Sequence, residues 1–298
     1  IYFILFLFLM AIRHPNNASD YSKIGELLNI TLNTLLGQSD QNFKVVIVCN
    51  KIPPGAIKHD KVHYHVVSFP PLSEQVPNAL GVVDKFQDKG TKYLTGLLFA
   101  KQFNPKQVFI VDADDWIHKD TVAMARQKAA SPVLYVNDGY FVNYDSKEYK
   151  RKSGMNRYCG TTFVYDFDFL FNLTSCTDSA SAQDDQNLLL SRCDQEFVLR
   201  VLSNHKINYR YFRLKGYPPK DLNLRAICWV QGTGENVSRV KPADKGVAVD
   251  EKFLSMFTLG PSVTPSHTPI TIRTRELLNS IKSSFEWRMT QLFKKQQY

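Results

Sequence analysis

A four-residue apolar run, Val108-Phe109-Ile110-Val111, that breaks straight into Asp112, Asp114 and Asp115 constrains this chain more than any other stretch. The Asn104-Pro105 turn precedes it, and its β-branched and aromatic residues predict a strand buried on both faces. Carboxylates this close repel and raise one another's pKa, so a cation is needed for them to stay ionised comfortably. Hard oxygen ligands one residue apart suit Mg²⁺ or Mn²⁺, with the other positions left to water and a substrate phosphate. A second reading is a solvated loop in which an Asp caps the next helix, a task that Asp120-Thr121 can also perform.

Upstream of that strand, the order of elements sets the class. Ile1 to Ile12 is nearly all apolar. It falls well short of the roughly 20 residues that span a bilayer and lacks a basic leader, so it reads as a buried strand. Arg13-His14-Pro15 then forms a polar turn where an open parallel sheet presents ligand-binding loops. Asp20 or Ser22 caps a helix with Ile24, Leu27, Leu28, Leu35 and Leu36 on one face, ended by Gly37. Phe43 to Cys49 is a second buried strand, finishing at Asn50. Strand, helix and strand in this order make a right-handed βαβ unit and an α/β fold.

Further along, Lys89 and Lys92 flank Gly90-Thr91, read as a helix start whose free N–H groups and dipole favour an anion such as a diphosphate. The alternative there is a solvated charged turn. Tyr158 to Tyr165 reads as a strand entered through Gly160, which allows close backbone approach. Asp194 and Glu196 open a helix at Phe197 to Leu202, stopped at Asn204-His205, where acids are ordinary dipole partners. Residues 258–272 are rich in Pro, Ser and Thr and read as a linker. Residues 273–298 carry apolar positions at helical spacing with six basic residues among them. Such a basic amphipathic helix suits an acidic membrane surface, its own domain or a second subunit.

Charge and cysteine usage narrow the partners. Across 298 residues, 37 Lys and Arg exceed 28 Asp and Glu by 9, which favours anionic ligands. No basic stripe is interleaved with aromatics, so nucleic acid is not expected. The 5 cysteines are scattered and never paired as C-x-x-C. That argues against zinc and a disulfide framework, and for a reducing, cytoplasmic setting.

Taken together, the stretch Leu35-Leu36-Gly37-Gln38-Ser39-Asp40-Gln41-Asn42-Phe43-Lys44-Val45-Val46-Ile47-Val48 closely resembles the opening of family 2 glycosyltransferases, which have the GT-A fold. Asp88-Lys89-Gly90-Thr91-Lys92 and Val111-Asp112-Ala113-Asp114-Asp115 resemble that family's donor-site segment and its Asp-x-Asp motif. Cys159-Gly160-Thr161 and Trp229 to Asn236 are similar to a bacterial subgroup. The resemblance implies a Rossmann-like, mostly parallel sheet flanked by helices over residues 1–257. Its donor half is about 1–135 and its acceptor half about 136–257.

It also implies transfer of a sugar from a nucleotide-diphosphate donor to a glycan or lipid-linked acceptor, with Mn²⁺ or Mg²⁺. Asp112, Asp114 and Asp115 would meet the metal, and Arg13, His14, Asn50, Lys89, Lys92 and Asp112 the donor. Asp194, with Glu196 beside it, matches the family's late acidic motif and would take the acceptor proton; Asp185 and His205 compete for that role. The family's pattern is broken at Cys193, where an acid is common, and at Asn50, where an Asp is common. It is also broken at Asn236-Val237-Ser238, which lacks a late His. A nucleotidyltransferase, or a sugar-nucleotide or glycan-binding module without turnover, are the rival readings. A phosphatase of the haloacid dehalogenase type is disfavoured because Trp116 stands where it wants Thr or Val.

Overall fold

In the computed structural model, which describes residues 5–72, 84–236 and 246–260, the first apolar run forms β1 (Phe6–Ala11). Its side chains alternate between two cores. Phe6, Phe8 and Met10 pack with Ile24, Leu28, Leu32 and Leu35 of α1 (Tyr21–Leu36). Leu7 and Leu9 face the other way and pack with Tyr93, Leu94 and Leu97 of α2 (Asp84–Ala100). An unbroken apolar run is what a strand covered by helices on both faces requires. Asp20, rather than Ser22, caps α1, accepting from the main-chain N–H groups of Ser22 and Lys23 at 2.9 and 3.2 Å.

The following strands are β2 (Phe43–Cys49), β3 (Val62–Val66), β4 (Gln107–Ile110), β5 (Trp116–Ile117), β6 (Val133–Tyr135), β7 (Asp138–Asn143), β8 (Glu148–Ser153), β9 (Phe163–Asp166), β10 (Lys220–Asp221), β11 (Ile227–Gln231) and β12 (Val247–Ala248). A seven-stranded sheet runs β10-β6-β9-β4-β1-β2-β3 and is parallel except at β9, which is antiparallel to β4 and β6. This is the α/β class and mostly parallel sheet expected from the sequence. A smaller sheet runs β12-β8-β7-β11-β5. The helices after α2 are α3 (Thr121–Gln127), α4 (Phe167–Leu173), α5 (Gln186–Ser191), α6 (His205–Leu214) and α7 (Glu251–Ser255).

The order of the large sheet places the site. The chain builds β1, β2 and β3 outward in one direction, and then returns to lay β4 on the opposite side of β1. The carboxyl ends of β1 and β4 therefore border a switch point, where loops diverge and leave a crevice. Arg13 follows the end of β1 and Asp112 follows the end of β4.

Two local expectations are corrected. Gly90 and Thr91 do not begin a helix: α2 starts at Asp84 and both residues lie inside it. The glycine serves packing there, since a Cβ at position 90 would stand 2.5 Å from the main-chain oxygen of Val198. Asn204-His205 does not simply end a helix. A π-helical segment over Phe197–Leu202 closes, and Asn204 then caps α6 by accepting from the Lys206 N–H at 3.3 Å. The stretch after β6, for its part, is a hairpin, β7 with β8. Tyr140 and Tyr149 share the face covered by Phe253, with ring centroids 5.0 and 3.8 Å away.

Contacts divide the chain into Ile1–Pro261 and Ser262–Tyr298, and the second unit, with the basic tail helix read from the sequence, lies outside the described residues. Among the described residues no helix is long and apolar enough to cross a membrane.

Candidate active site

The three acids after β4 meet three different environments. Asp115 is 1% exposed. Its carboxylate accepts from the Thr161 hydroxyl at 2.6 Å, the Cys159 thiol at 3.1 Å and the Val230 N–H at 3.2 Å. Burial, then the charges of Asp114 and Asp112, push its pKa well above the usual carboxylate range. Its oxygens are engaged by the protein, and its role in the fold is to tie the β4 loop to the entry of β9 and to β11.

Asp112 is balanced by a cation already present. The Lys89 ammonium lies 2.6 Å from its Oδ1, and the Tyr93 hydroxyl donates to the same oxygen at 3.4 Å. Burial alone would raise the Asp112 pKa, but the charge and hydrogen bond of Lys89 reverse this and leave it lowered. Burial likewise acts to lower the Lys89 pKa, and Asp112 and Tyr93 outweigh it. The main-chain N–H of Asp112 donates to Thr161 Oγ1 at 2.8 Å. On its other side Gly160 comes so close that a Cβ would lie 2.3 Å from Oδ2. The close approach read from the sequence at Gly160 is thus toward Asp112.

Asp114 accepts from the neutral amide of Asn236 at 2.9 Å. Burial, then the Asp112 charge, raise its pKa to about 6, with Arg13 and Lys89 acting in the opposite sense. Asn236 is itself held firmly, its Oδ1 accepting from the Thr233 N–H and hydroxyl at 3.0 and 2.9 Å. The neighbouring Glu235, 5% exposed, clamps the loop after β1. It accepts from the Asp20 N–H at 2.7 Å and the Ser19 N–H at 3.3 Å, and pairs with Arg13 at 3.3 Å. One short loop after β11 therefore fixes both Arg13 and Asp114.

The other sequence candidates are dispersed. His14 is engaged in its own turn, its Nδ1 accepting from the Asn16 N–H at 3.1 Å. Lys92 is fully buried, donating to the Ile12 carbonyl at 2.8 Å and pairing with Asp88 at 2.9 Å. It joins α2 to the end of β1 from inside. Asn50 donates to the carbonyls of Val67 and Phe69 at 3.2 and 2.7 Å, and its buried Oδ1 has no hydrogen-bond partner. Asp194 is exposed and caps the π-helical segment by accepting from the Phe197 N–H at 3.0 Å, with Glu196 exposed beside it. The groups they influence are Cys193 and Tyr211. Asp185, likewise exposed, caps α5.

His205, at the opposite end of the segment that Asp194 opens, is nearer the acids. It lines a cavity of about 10 Å³ with Lys89, Tyr93, Gly160, Ser203 and Asn208. That volume admits about one water molecule and no sugar ring. Its Nε2 is buried without a hydrogen-bond partner. Burial, then the Lys89 charge, lower its pKa from 6.5 to about 4. The unfolded chain takes up this proton first, so the fold loses stability as pH falls from about 6.5 to about 4. At about 1.4 kcal/mol per pH unit, the loss is about 3 kcal/mol. Denaturant titrations at pH 7 and pH 4 should show His205→Gln removing that loss; an unchanged difference would count against a neutral buried imidazole.

Among the described residues no group of three or more His, Cys, Asp or Glu is arranged to hold a metal ion. Mg²⁺ needs only one or two carboxylates when a phosphate and water complete its shell. Asp112 and Asp114 can supply these, and Asp114, whose hydrogen-bond donor from Asn236 is uncharged, fits the need for a cation. Asn236, Glu235, Tyr93 and Thr161 were not singled out as site residues from the sequence. The polar and small residues around Gly160 and Gly232 were the available signal.

No family model matches the chain, and no curated protein sequence is similar to it. Several solved structures are similar at a distance. TarS of S. aureus is 14% identical, covering 76% of this chain and 37% of its own, with a TM-score of 0.39. The 4-diphosphocytidyl-2C-methyl-D-erythritol synthase of Anaerococcus prevotii is 11% identical over 86% of this chain and 95% of its own, with a TM-score of 0.38. The mannose-1-phosphate geranyltransferase of Thermus thermophilus is 12% identical over 77% and 76%, with a TM-score of 0.37. The chain thus spans little more than a third of the length of TarS. At this distance the likenesses carry no functional argument, which rests on the geometry.

Proposed function

We propose that the protein is a glycosyltransferase that moves a sugar from a nucleotide-diphosphate donor to a hydroxyl of a glycan or lipid-linked acceptor, with inversion. The observation that carries this reading is the convergence of Arg13, Lys89, Asp112 and Asp114 at one switch point of a parallel sheet. Nucleotide ligands of open α/β sheets lie in such a crevice. The orphaned Oδ1 of Asn50, at the carboxyl end of β2, suits an N–H donor such as a nucleotide base edge. In this reading Arg13 and Lys89, now paired with Glu235 and Asp112, would meet the diphosphate oxygens. A divalent ion at Asp112 and Asp114, when bound, neutralises charge growing on the departing diphosphate. Contact of the basic tail with an acidic membrane face, and a cytoplasmic place, belong to the same proposal.

The acceptor proton needs a base within hydrogen-bond reach. Asp194 is proposed from the resemblance, with Glu196 beside it. A second reading, His205, is favoured by its unpartnered Nε2 in the cavity shared with Lys89, which has room for the one water through which it would reach the acceptor. A donor screen followed by nucleotide release tests the function: nucleoside diphosphate is the expected product, and pyrophosphate instead would indicate a nucleotidyltransferase. Tight donor binding with no turnover on any acceptor would indicate a binding module. With an active donor in hand, Asp194→Asn is expected to bind it normally and to slow transfer by about 10²–10⁴-fold. If Asp194→Asn transfers at the wild-type rate and His205→Asn does not, the base is His205.

A further inference from the structure

We propose that Lys89 is a resident counter-ion that competes with a divalent cation for Asp112, so that metal and nucleotide diphosphate enter together and neither binds well alone. The identity of the diphosphate ligand rests on the functional reading above; the competition itself does not.

Of the two partners, the carboxylate is the fixed one. Asp112 is held by its N–H to Thr161 at 2.8 Å and by the Tyr93 hydroxyl at 3.4 Å, and it is backed by Gly160, where even a Cβ would come within 2.3 Å. Lys89 is the mobile one. The two side chains are about equally exposed, 31% and 29%, but Lys89 sits on a flexible four-carbon stem, with its ammonium 2.6 Å from Asp112 and 5.6 Å from the Tyr93 ring centroid. A dication approaching Asp112 alone meets an ammonium already on its ligand, and like charges at that range oppose binding. An arriving diphosphate reverses the balance. Its oxygens attract both the ion and the ammonium, and Lys89 can exchange a carboxylate oxygen for a phosphate oxygen, leaving the Asp112 carboxylate to the metal. Linkage then requires that the diphosphate tighten metal binding by the same factor as the metal tightens diphosphate binding.

The test is Mn²⁺ binding, followed by electron paramagnetic resonance of the free ion. It is run on wild type, Lys89→Met and Lys89→Arg, without and with inorganic pyrophosphate, correcting for the manganese–pyrophosphate complex. Without pyrophosphate, Lys89→Met is expected to bind Mn²⁺ at least tenfold more tightly than wild type, while Lys89→Arg stays near it. Pyrophosphate affinity should fall at least tenfold in Lys89→Met. A lysine that merely supported the loop would leave Mn²⁺ binding unchanged or weaken it, so the direction discriminates. Equal or weaker Mn²⁺ binding by Lys89→Met, including no binding by either protein, overturns the proposal. Should that variant fail to fold by circular dichroism, the wild type decides: less than threefold tightening of Mn²⁺ by pyrophosphate overturns it. The titration without pyrophosphate uses no nucleotide sugar, so a donor screen in which nothing turns over removes the transferase reading and leaves this result standing.

Discussion

Asp114→Ala is expected to abolish metal-assisted donor binding and lower turnover by at least about 10²-fold while the protein keeps its fold. Asp114→Asn should lose function similarly and yet melt at a higher temperature than wild type at pH 7. The carboxylate is half-buried, its donor is the neutral Asn236 amide, and burial with the Asp112 charge lifts its pKa from 3.8 to about 6. At pH 7 it is ionised in a place that disfavours the charge, a tension that suits a cation site and costs the ligand-free fold. A carboxyl whose pKa is raised by folding contributes stability that is complete below about 3.8 and lost as pH rises through about 6. The advantage of Asp114→Asn should therefore be on the order of 1–3 kcal/mol at pH 7 and vanish near pH 4. Melting curves at the two pH values, with nucleotide release at pH 7, check both halves. Unchanged donor affinity in Asp114→Ala would remove the residue from the metal site. Equal stability of Asp114→Asn at both pH values would remove the charge argument.

Gly160→Val should be nearly as damaging by a different route. The site at Gly160 has no room: the nearest atoms to an added Cβ are Oδ2, Cγ and Oδ1 of Asp112, at 2.3, 3.0 and 3.1 Å. Asp112 cannot simply yield, since its N–H is tied to Thr161 and its Oδ1 to Lys89. Either the loop entering β9 moves outward or Asp112 leaves its partners. Overpacking of this kind costs about 1–3 kcal/mol. Displacing Asp112 by an ångström should lower turnover on the order of 10²-fold. Gly160→Ala should lie between wild type and Gly160→Val in both measurements. A Gly160→Val protein with wild-type melting temperature and turnover would show that the loop has slack the geometry does not suggest.

The class of the fold was legible in the sequence because the parallel sheet leaves a strong local imprint. Strands covered on both faces are apolar at nearly every position, so Phe6 to Ala11, Phe43 to Cys49 (broken only by Lys44) and Val108 to Val111 stand out without any partner in view. The α1 cap at Asp20 and the stop at Gly37 are local as well. Elements whose period is broken by charge were less legible, as in the β7–β8 hairpin, where Arg151 shares the face of Tyr140 and Tyr149.

Asp112, Asp114 and Asp115 are nearly adjacent in the chain, and nothing in their order distinguishes them. Their three roles follow from what faces each: Lys89 from α2, Asn236 from the loop after β11, and the Thr161, Cys159 and Val230 donors from the loop entering β9 and from β11. Lys89 and Lys92 are likewise equivalent on paper. Three residues apart on one helix, they point to different surroundings, and only Lys89 reaches the acids, whereas Lys92 is sealed beneath β1. Residue spacing and hydrophobic period are properties of a stretch, so the chain alone determined the α/β class and the acid tip. Charge balance, burial and pKa depend on atoms brought in from positions tens to more than a hundred residues away, and only the tertiary structure decided those.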